Sequence, residues 1–323
     1  MLHIVPRTNN DTLRETSLKP TTDEMLNAFA VFVHIDVAEG DASPDTVRGY
    51  FSQVKQFVEW CTFERIEPAH ITPSDIKRWR QHLIDIGHKP STIAHKLAVV
   101  RRFYQAAHDR GLISENPAAN IKPPRNRNAE DDIPYLSESE LAILLHSVPR
   151  DGTEAHMRDL CLLAFLGLQG RRQIEAHRAS VEDIRPDGSM LVHGKYHDSV
   201  CQLRDDVREA LEAYIGMRER VIPDELGTPV FVAVGNRAGG KRLSRRGIRK
   251  IVDGYLEKAG LKRPGLSGHA LRHTAATAAY RHLKDIRAVQ DMLGHRDPKT
   301  TSRYARAVDR QEQNPANAIG VRL

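Results

Sequence analysis

Apolar side chains recur at three- and four-residue steps through the first third of the chain, the period of a helix with one buried face. Met25, Phe29, Val31 and Phe32 predict a first helix. Pro44 stands at the start of a second, which carries Val47, Tyr50, Phe51, Val54, Phe57, Val58 and Cys61. Proline suits that place because the N–H it lacks would have no helical partner there. Thr72, followed by Pro73 and Asp75, caps a third helix holding Ile76, Trp79 and Leu83. Ser91 opens a fourth with Ile93, Leu97, Val100, Phe103, Tyr104 and Ala107, closed by Gly111. Four helices without strands predict a compact bundle over residues 21–115, preceded by a loose polar arm over residues 1–20.

The period breaks at residues 116–134. Pro117, Pro123, Pro124 and Pro134 fall here, with basic residues first and Glu130-Asp131-Asp132 after them. Proline and charge without apolar periodicity predict an extended linker. Ser137 with Glu140 three residues on is a capping box that opens a second domain over residues 135–323. Its first strong signal is an apolar, buried helix over residues 160–168. Residues 180–184, 190–193 and 200–203 then predict three short strands, turned at Asp187-Gly188 and over residues 195–199. Residues 230–234 add an extended piece, and helices follow over residues 244–260, 269–283 and 285–293. The fold class predicted is mainly α with a small antiparallel β-sheet.

Composition narrows the picture modestly. Hydrophobic residues make up 40% of 323, enough for two domain cores. No apolar run approaches the roughly 18 residues a membrane span needs, and the first residues lack the apolar core of a signal peptide. A cytoplasmic, nucleoid-associated protein is expected. Cys61, Cys161 and Cys201 stand singly in apolar patterns and read as reduced core residues. The formal charge is +6, and its distribution says more than its size. Lys241, Arg242, Arg245, Arg246, Arg249 and Lys250 fall within ten residues; Arg101, Arg102, Lys122, Arg125 and Arg127 form a second group. One charge run is ordinarily a solvated surface, but several beside phosphate-handling residues point to nucleic acid.

Those phosphate-handling residues lie near the C-terminal end. His269-Ala270-Leu271-Arg272-His273 sets a histidine and an arginine three apart on one helix face. Leu293-Gly294-His295 follows, and Tyr304 stands nine residues beyond His295, after Thr300-Thr301-Ser302-Arg303. Tyr280, a rival nucleophile, lies within an alanine-rich helix and reads as core. The ordered spelling H-x-L-R-H, L-G-H and Tyr resembles the signature of the tyrosine recombinase (phage integrase) family, and the resemblance extends over roughly residues 25–310.

The resemblance implies a helical, SAM-like core-binding domain and a mixed α/β catalytic domain that together clamp duplex DNA. It maps the family's first arginine onto Gly170-Arg171-Arg172-Gln173-Ile174-Glu175, where the spacing to Glu175 and Asp183 selects Arg172, with Arg171 as the alternative. The family's hairpin lysine falls on Lys195 after Gly194; the glycine and basic residues that usually follow are replaced by Tyr196-His197-Asp198. His269, Arg272, His295 and Tyr304 complete the catalytic set, and His273 reads as a packing or helix-start residue. DNA contacts are expected from Arg101, Arg102, Lys241, Arg242, Arg245, Arg246, Arg249 and Lys250.

The chemistry asks for such a set. A phenol with a pKa of about 10 needs a base and a cationic pocket to attack at neutral pH. Arg172 and Arg272 would fork donors onto the non-bridging phosphate oxygens, joined by a hydrogen bond from His295. His269 would accept the Tyr304 proton, and Lys195 would protonate the leaving 5′ oxygen. The implied products are a 3′-phosphotyrosyl link and a 5′ hydroxyl, with bond energy conserved and neither ATP nor a metal required. The implied partners are double-stranded DNA with inverted-repeat sites and, at synapsis, three further copies in a homo-tetramer; no membrane is involved. In the family a C-terminal segment docks into the neighbouring protomer, so residues 305–312 are expected to mediate assembly. Competing readings are a catalytically inactive DNA-binding or architectural relative, a type IB topoisomerase-like enzyme, and a metal-dependent hydrolase built on His269, His273 and His295.

Overall fold

The computed structural model describes residues 20–37, 42–125, 134–194, 197–235, 238–294, 301, 302, 304, 305, 308 and 309. Two compact units divide between Ala129 and Glu130. The first holds four helices, α1 (Thr22–Ile35), α2 (Pro44–Phe63), α3 (Pro73–Asp85) and α4 (Pro90–Asp109). Local chemistry sets their starts. Thr21 and Thr72 form capping boxes with Glu24 and Asp75, and Ser43 accepts the Thr46 N–H ahead of Pro44. The fourth helix starts one residue before Ser91, at Pro90, whose fixed φ suits a first turn without a side-chain cap. Phe29, Phe57, Trp79, Phe103 and Tyr104 build the core, with Phe57 edge-on to Trp79 at 4.9 Å between centroids.

The chain after α4 is bound to this bundle where the sequence reads as linker. Ala118 and Ile121 are buried in it. The Arg101 guanidinium donates to the Ala118 and Ile121 carbonyls, and the Asn116 amide donates to the Arg101 carbonyl. Prolines conceal such anchoring, because the two apolar residues involved are too few to make a period.

The second unit runs α5 (Glu138–His146), α6 (Glu154–Gly167), α7 (Gln173–Arg178), β1 (Ser189–His193), β2 (Asp198–Gln202), α8 (Asp205–Met217), α9 (Arg245–Lys258), α10 (Gly268–Leu283) and α11 (Ile286–Leu293). Ser137 and Glu140 form the capping box that starts α5. From Arg158 to Gly167 almost every position of α6 is buried, and α8 and α10 pack against it. The described sheet has two antiparallel strands, from the Ser189↔Gln202 pair to the His193↔Asp198 pair. The expected strand over residues 180–184 is instead a 3-10 turn, Val181–Asp183, with single bridges at Ser180 and Ile184. The Ser180 N–H donates to the Asp183 carboxylate, and this local bond overrides the alternating pattern. Residues 230–234 likewise contribute one bridge, Val232↔Arg242. All three cysteines are free and buried.

Among the described residues, no helix is long and apolar enough to cross a membrane.

Candidate active site

The site forms where α7, α10 and α11 meet the segment bearing Tyr304. Arg172 is the N-cap of α7. Its backbone N–H and its Nη1 donate to the two oxygens of Glu175, at 2.8 and 2.6 Å. The Glu175 side chain is almost wholly buried and lies 3.7 Å from Arg272 Nη1, so one carboxylate serves two guanidiniums. Arg272, 1% exposed, donates to the Gly170 and Leu293 carbonyls, both at 2.7 Å. Burial first, and then the charge of Arg172, pull the Arg272 guanidinium down to about 9, with Glu175 opposing them. It therefore stays cationic at neutral pH.

Arg171 faces a different task. Its side chain, also 1% exposed, donates to the Gln169 and Met292 carbonyls. Arg171 and Arg272 thus supply donors to consecutive carbonyls at the C-terminal end of α11, where a helix leaves acceptors unpaired. Gly294 follows at φ 66, a left-handed cap that suits glycine. Gly170 sits at φ +69, and a Cβ there would lie 2.9 Å from Leu293 Cδ2. Gly268, in the first turn of α10, leaves no room for a side chain beside the Gln173 amide of α7.

His269 is solvent-accessible on that first turn. Desolvation, then the charges of Arg272 and Arg172, lower its pKa from 6.5 and favour its neutral form. Its ring stands edge-on to His273, with centroids 4.6 Å apart. His273 in turn shares a 2.9 Å hydrogen bond between Nδ1 and the Tyr304 hydroxyl. Tyr304 is 4% exposed and packs with Ala276, Tyr280, Val289, Leu293 and Val308. Tyr280 is core, its hydroxyl donating to Asp309 at 3.2 Å.

The structure therefore gathers Arg172, His269, Arg272 and Tyr304 from the expected set; Lys195 and His295 lie outside the described residues. Two participants escaped the sequence reading. His273, read as packing, is the group bonded to the phenol, and only its place beside Arg272 could have raised it. Glu175, read as a spacing marker or a surface partner of Arg172, is instead a buried carboxylate shared with Arg272, and an arginine followed three residues later by a glutamate is the spacing of a helix-start box. Two of the residues expected to contact DNA are engaged within the chain. Arg242 is nearly buried, paired with Asp224 at 2.6 Å and donating to the His177, Ala179 and Gly227 carbonyls and the Ser180 hydroxyl. Arg101 ties the chain after α4, as described above. Arg102 lies over the Tyr50 ring at 5.5 Å and donates to its hydroxyl. Lys241, Arg245, Arg246, Arg249 and Lys250 are exposed, while Ile248, Val252 and Leu256 bury the other face of α9.

A family model described as the phage integrase family matches residues 134–311, more than half of the chain. This chain belongs to the phage integrase family. Residues 36–111 match the family's N-terminal SAM-like domain. Relatives include the tyrosine recombinase XerD of Staphylococcus epidermidis, 32% identical over 285 residues, 87% of this chain and 92% of the relative. The tyrosine recombinase XerC of Thermodesulfovibrio yellowstonii is 29% identical over 279 residues, 84% and 88% of the two chains. Among solved structures, the XerH site-specific recombinase bound to palindromic difH substrate superposes with a TM-score of 0.71 at 20% identity, covering 92% of this chain and 88% of that one. A lambda integrase dimer bound to a COC' core site gives 0.69 at 16% identity, covering 93% and 80%. At those identities the likeness is one of fold. As a phage integrase family member the chain is a DNA-binding enzyme that cleaves and rejoins DNA strands.

Proposed function

We propose that the chain is a site-specific recombinase that exchanges strands of duplex DNA through a 3′-phosphotyrosyl intermediate formed on Tyr304. The observation that carries this reading is the hydroxyl of buried Tyr304, hydrogen-bonded to His273, in the unit where Arg172 and Arg272 share one carboxylate. Two guanidiniums against one buried carboxylate leave a net positive site, which a phosphodiester would neutralise.

In this reading Arg172 and the remaining N–H groups of Arg272 hold the non-bridging oxygens. His273 orients the phenol, and His269, held neutral, takes the proton as the Tyr304 oxygen attacks phosphorus. The 5′ oxygen leaves, protonated by Lys195, and His295 donates to the phosphate. Those last two roles rest on the family spelling alone. Rejoining reverses the steps with a 5′ hydroxyl from another strand. Exposed Lys241, Arg245, Arg246, Arg249 and Lys250 supply phosphate contacts. The sites proposed are inverted repeats bridged by a tetramer, as a lambda integrase tetramer is bound to a Holliday junction. Such a protein works at the nucleoid, on phage, plasmid, transposon or chromosomal DNA.

The test is recombination between two copies of a binding site selected from random-sequence duplexes, in buffer containing a chelator. Strand exchange on a plasmid carrying both sites is expected. Selected sites that bind but never exchange, and never accumulate nicks, would return the chain to the inactive architectural reading.

A further inference from the structure

The hairpin that carries Lys195 ends in a cluster that the chemistry above leaves unused. His193, the last residue of β1, has Nε2 at 2.9 Å from Asp183 and Nδ1 at 2.9 Å from Asp198. A neutral imidazole has one N–H and one lone pair, so it can serve only one of two carboxylates; the other would face the lone pair. Donation to both requires the imidazolium. Each carboxylate ties His193 to a different element. Asp198 is its cross-strand partner at the closing rung of the sheet. Asp183 is nearly buried in the turn that follows α7 and accepts the Ser180 N–H at 2.8 Å. The next residue is held as well: Arg178, at the end of α7, donates to the Gly194 carbonyl. Gly194 admits no side chain, because a Cβ there would collide with the His197 carbonyl.

We propose that His193 is a positioning residue, a cationic clamp between Asp183 and Asp198 that fixes the end of β1 and so sets where the hairpin delivers Lys195. The inference rests on the reading of Lys195 as general acid. It also accounts for a departure from the family spelling, since Asp198 stands in a stretch where the family carries glycine and basic residues.

Other charged groups on the elements packed against β1 are committed elsewhere. On the turn, Glu182 accepts the Thr228 N–H. On α7, Glu175 holds Arg172, His177 Nδ1 bonds the Leu243 carbonyl, and Arg178 holds Gly194. Burial works against a charged His193, but the hydrogen bonds it donates to Asp183 and Asp198, with their charges, outweigh it and raise its pKa above 6.5. The sign follows: the clamp is complete at low pH and is lost as pH rises through the raised value. Acid delivery should therefore weaken on the alkaline side, opposite to the acid-side loss expected from His269.

The experiment compares single-turnover cleavage of two suicide substrates, one ordinary and one with sulfur in place of the 5′-bridging oxygen. A thiolate leaves without protonation, so the second substrate needs no general acid. His193→Gln should slow the oxygen substrate about 10- to 100-fold, a part of what a positioned acid contributes, and leave the sulfur substrate near the wild-type rate. Asp198→Asn, on an exposed side chain, should act in the same direction more mildly. His193→Arg, permanently charged with donors for both carboxylates, should restore the oxygen rate and remove the alkaline limb of the pH profile. Equal slowing on both substrates, or no slowing on oxygen, would overturn the clamp. Lys195→Ala separates the two ideas. Sulfur rescue of Lys195→Ala but not of His193→Gln sinks the clamp alone; no sulfur rescue of Lys195→Ala sinks the acid assignment and the clamp with it.

Discussion

Glu175 carries more of the site than its place in the sequence announces, since it lies against two guanidiniums, one of them wholly buried. Removing a buried partner strands the charge it compensated. Glu175→Ala should therefore destabilise the protein by about 3–5 kcal/mol, read as a lower denaturant midpoint, and depress cleavage as well. A midpoint within error of wild type would show that Arg272 is satisfied by its two carbonyls alone. His269 sets a pH dependence. The fold lowers its pKa below 6.5, so its neutral form is favoured and stability falls as pH drops from 6.5 towards the lowered value. The proposed base is lost over the same window, so cleavage should decline there; His269→Gln should remove that limb, and an unchanged acid limb would disqualify His269 as the base. His269, Arg272 and Tyr304 were legible because their chemistry repeats at fixed spacing. His273 was not, because its bond to Tyr304 joins residues 31 apart, and no local pattern encodes such a contact.

Helix α9 separates two kinds of arginine that look alike in a charge run. Arg246 and Lys250 lie one turn apart and exposed, whereas Arg242, just before the helix, is enclosed by Asp224 and four further acceptors. Replacing Arg246 and Lys250 by alanine should flatten the log–log salt dependence of DNA binding by about two units, with unfolding unchanged. Arg242→Ala should do the reverse, costing about 3 kcal/mol of stability at a near-normal slope in whatever remains folded. Titrations across salt and thermal melts check both, and an unchanged slope in the double variant would place α9 away from DNA. The helices were readable wherever an apolar period met a cap, as at Thr72 and Ser137. Helix α8 went unread although Val207, Leu211 and Tyr214 keep the period, because Arg204 offers no side-chain cap to mark its start. The strand expected at residues 180–184 failed for the converse reason, a local Ser180–Asp183 bond competing with alternation.

The molecule as a whole joins a helical unit with an aromatic core to a unit that holds every described member of the candidate site. The sequence carries a run of prolines and charge between the helical patterns, but the anchoring of Ala118 and Ile121 by Arg101 was not legible in it, since a guanidinium bonded to backbone carbonyls leaves no trace in composition. The C-terminal segment expected to reach another protomer has at least Val308 and Asp309 engaged within its own chain, one packed beside Tyr304 and the other accepting from Tyr280. Everything proposed for function nonetheless converges on one oxygen atom. A nicked suicide substrate carrying the selected site traps any covalent intermediate, because the short strand beyond the cut diffuses away. Wild-type protein should accumulate an adduct whose proteolytic fragment contains Tyr304 joined to a 3′ phosphate, while Tyr304→Phe binds the same DNA and forms none. An adduct of equal yield with the phenylalanine variant, or one mapped to another residue, would contradict the account.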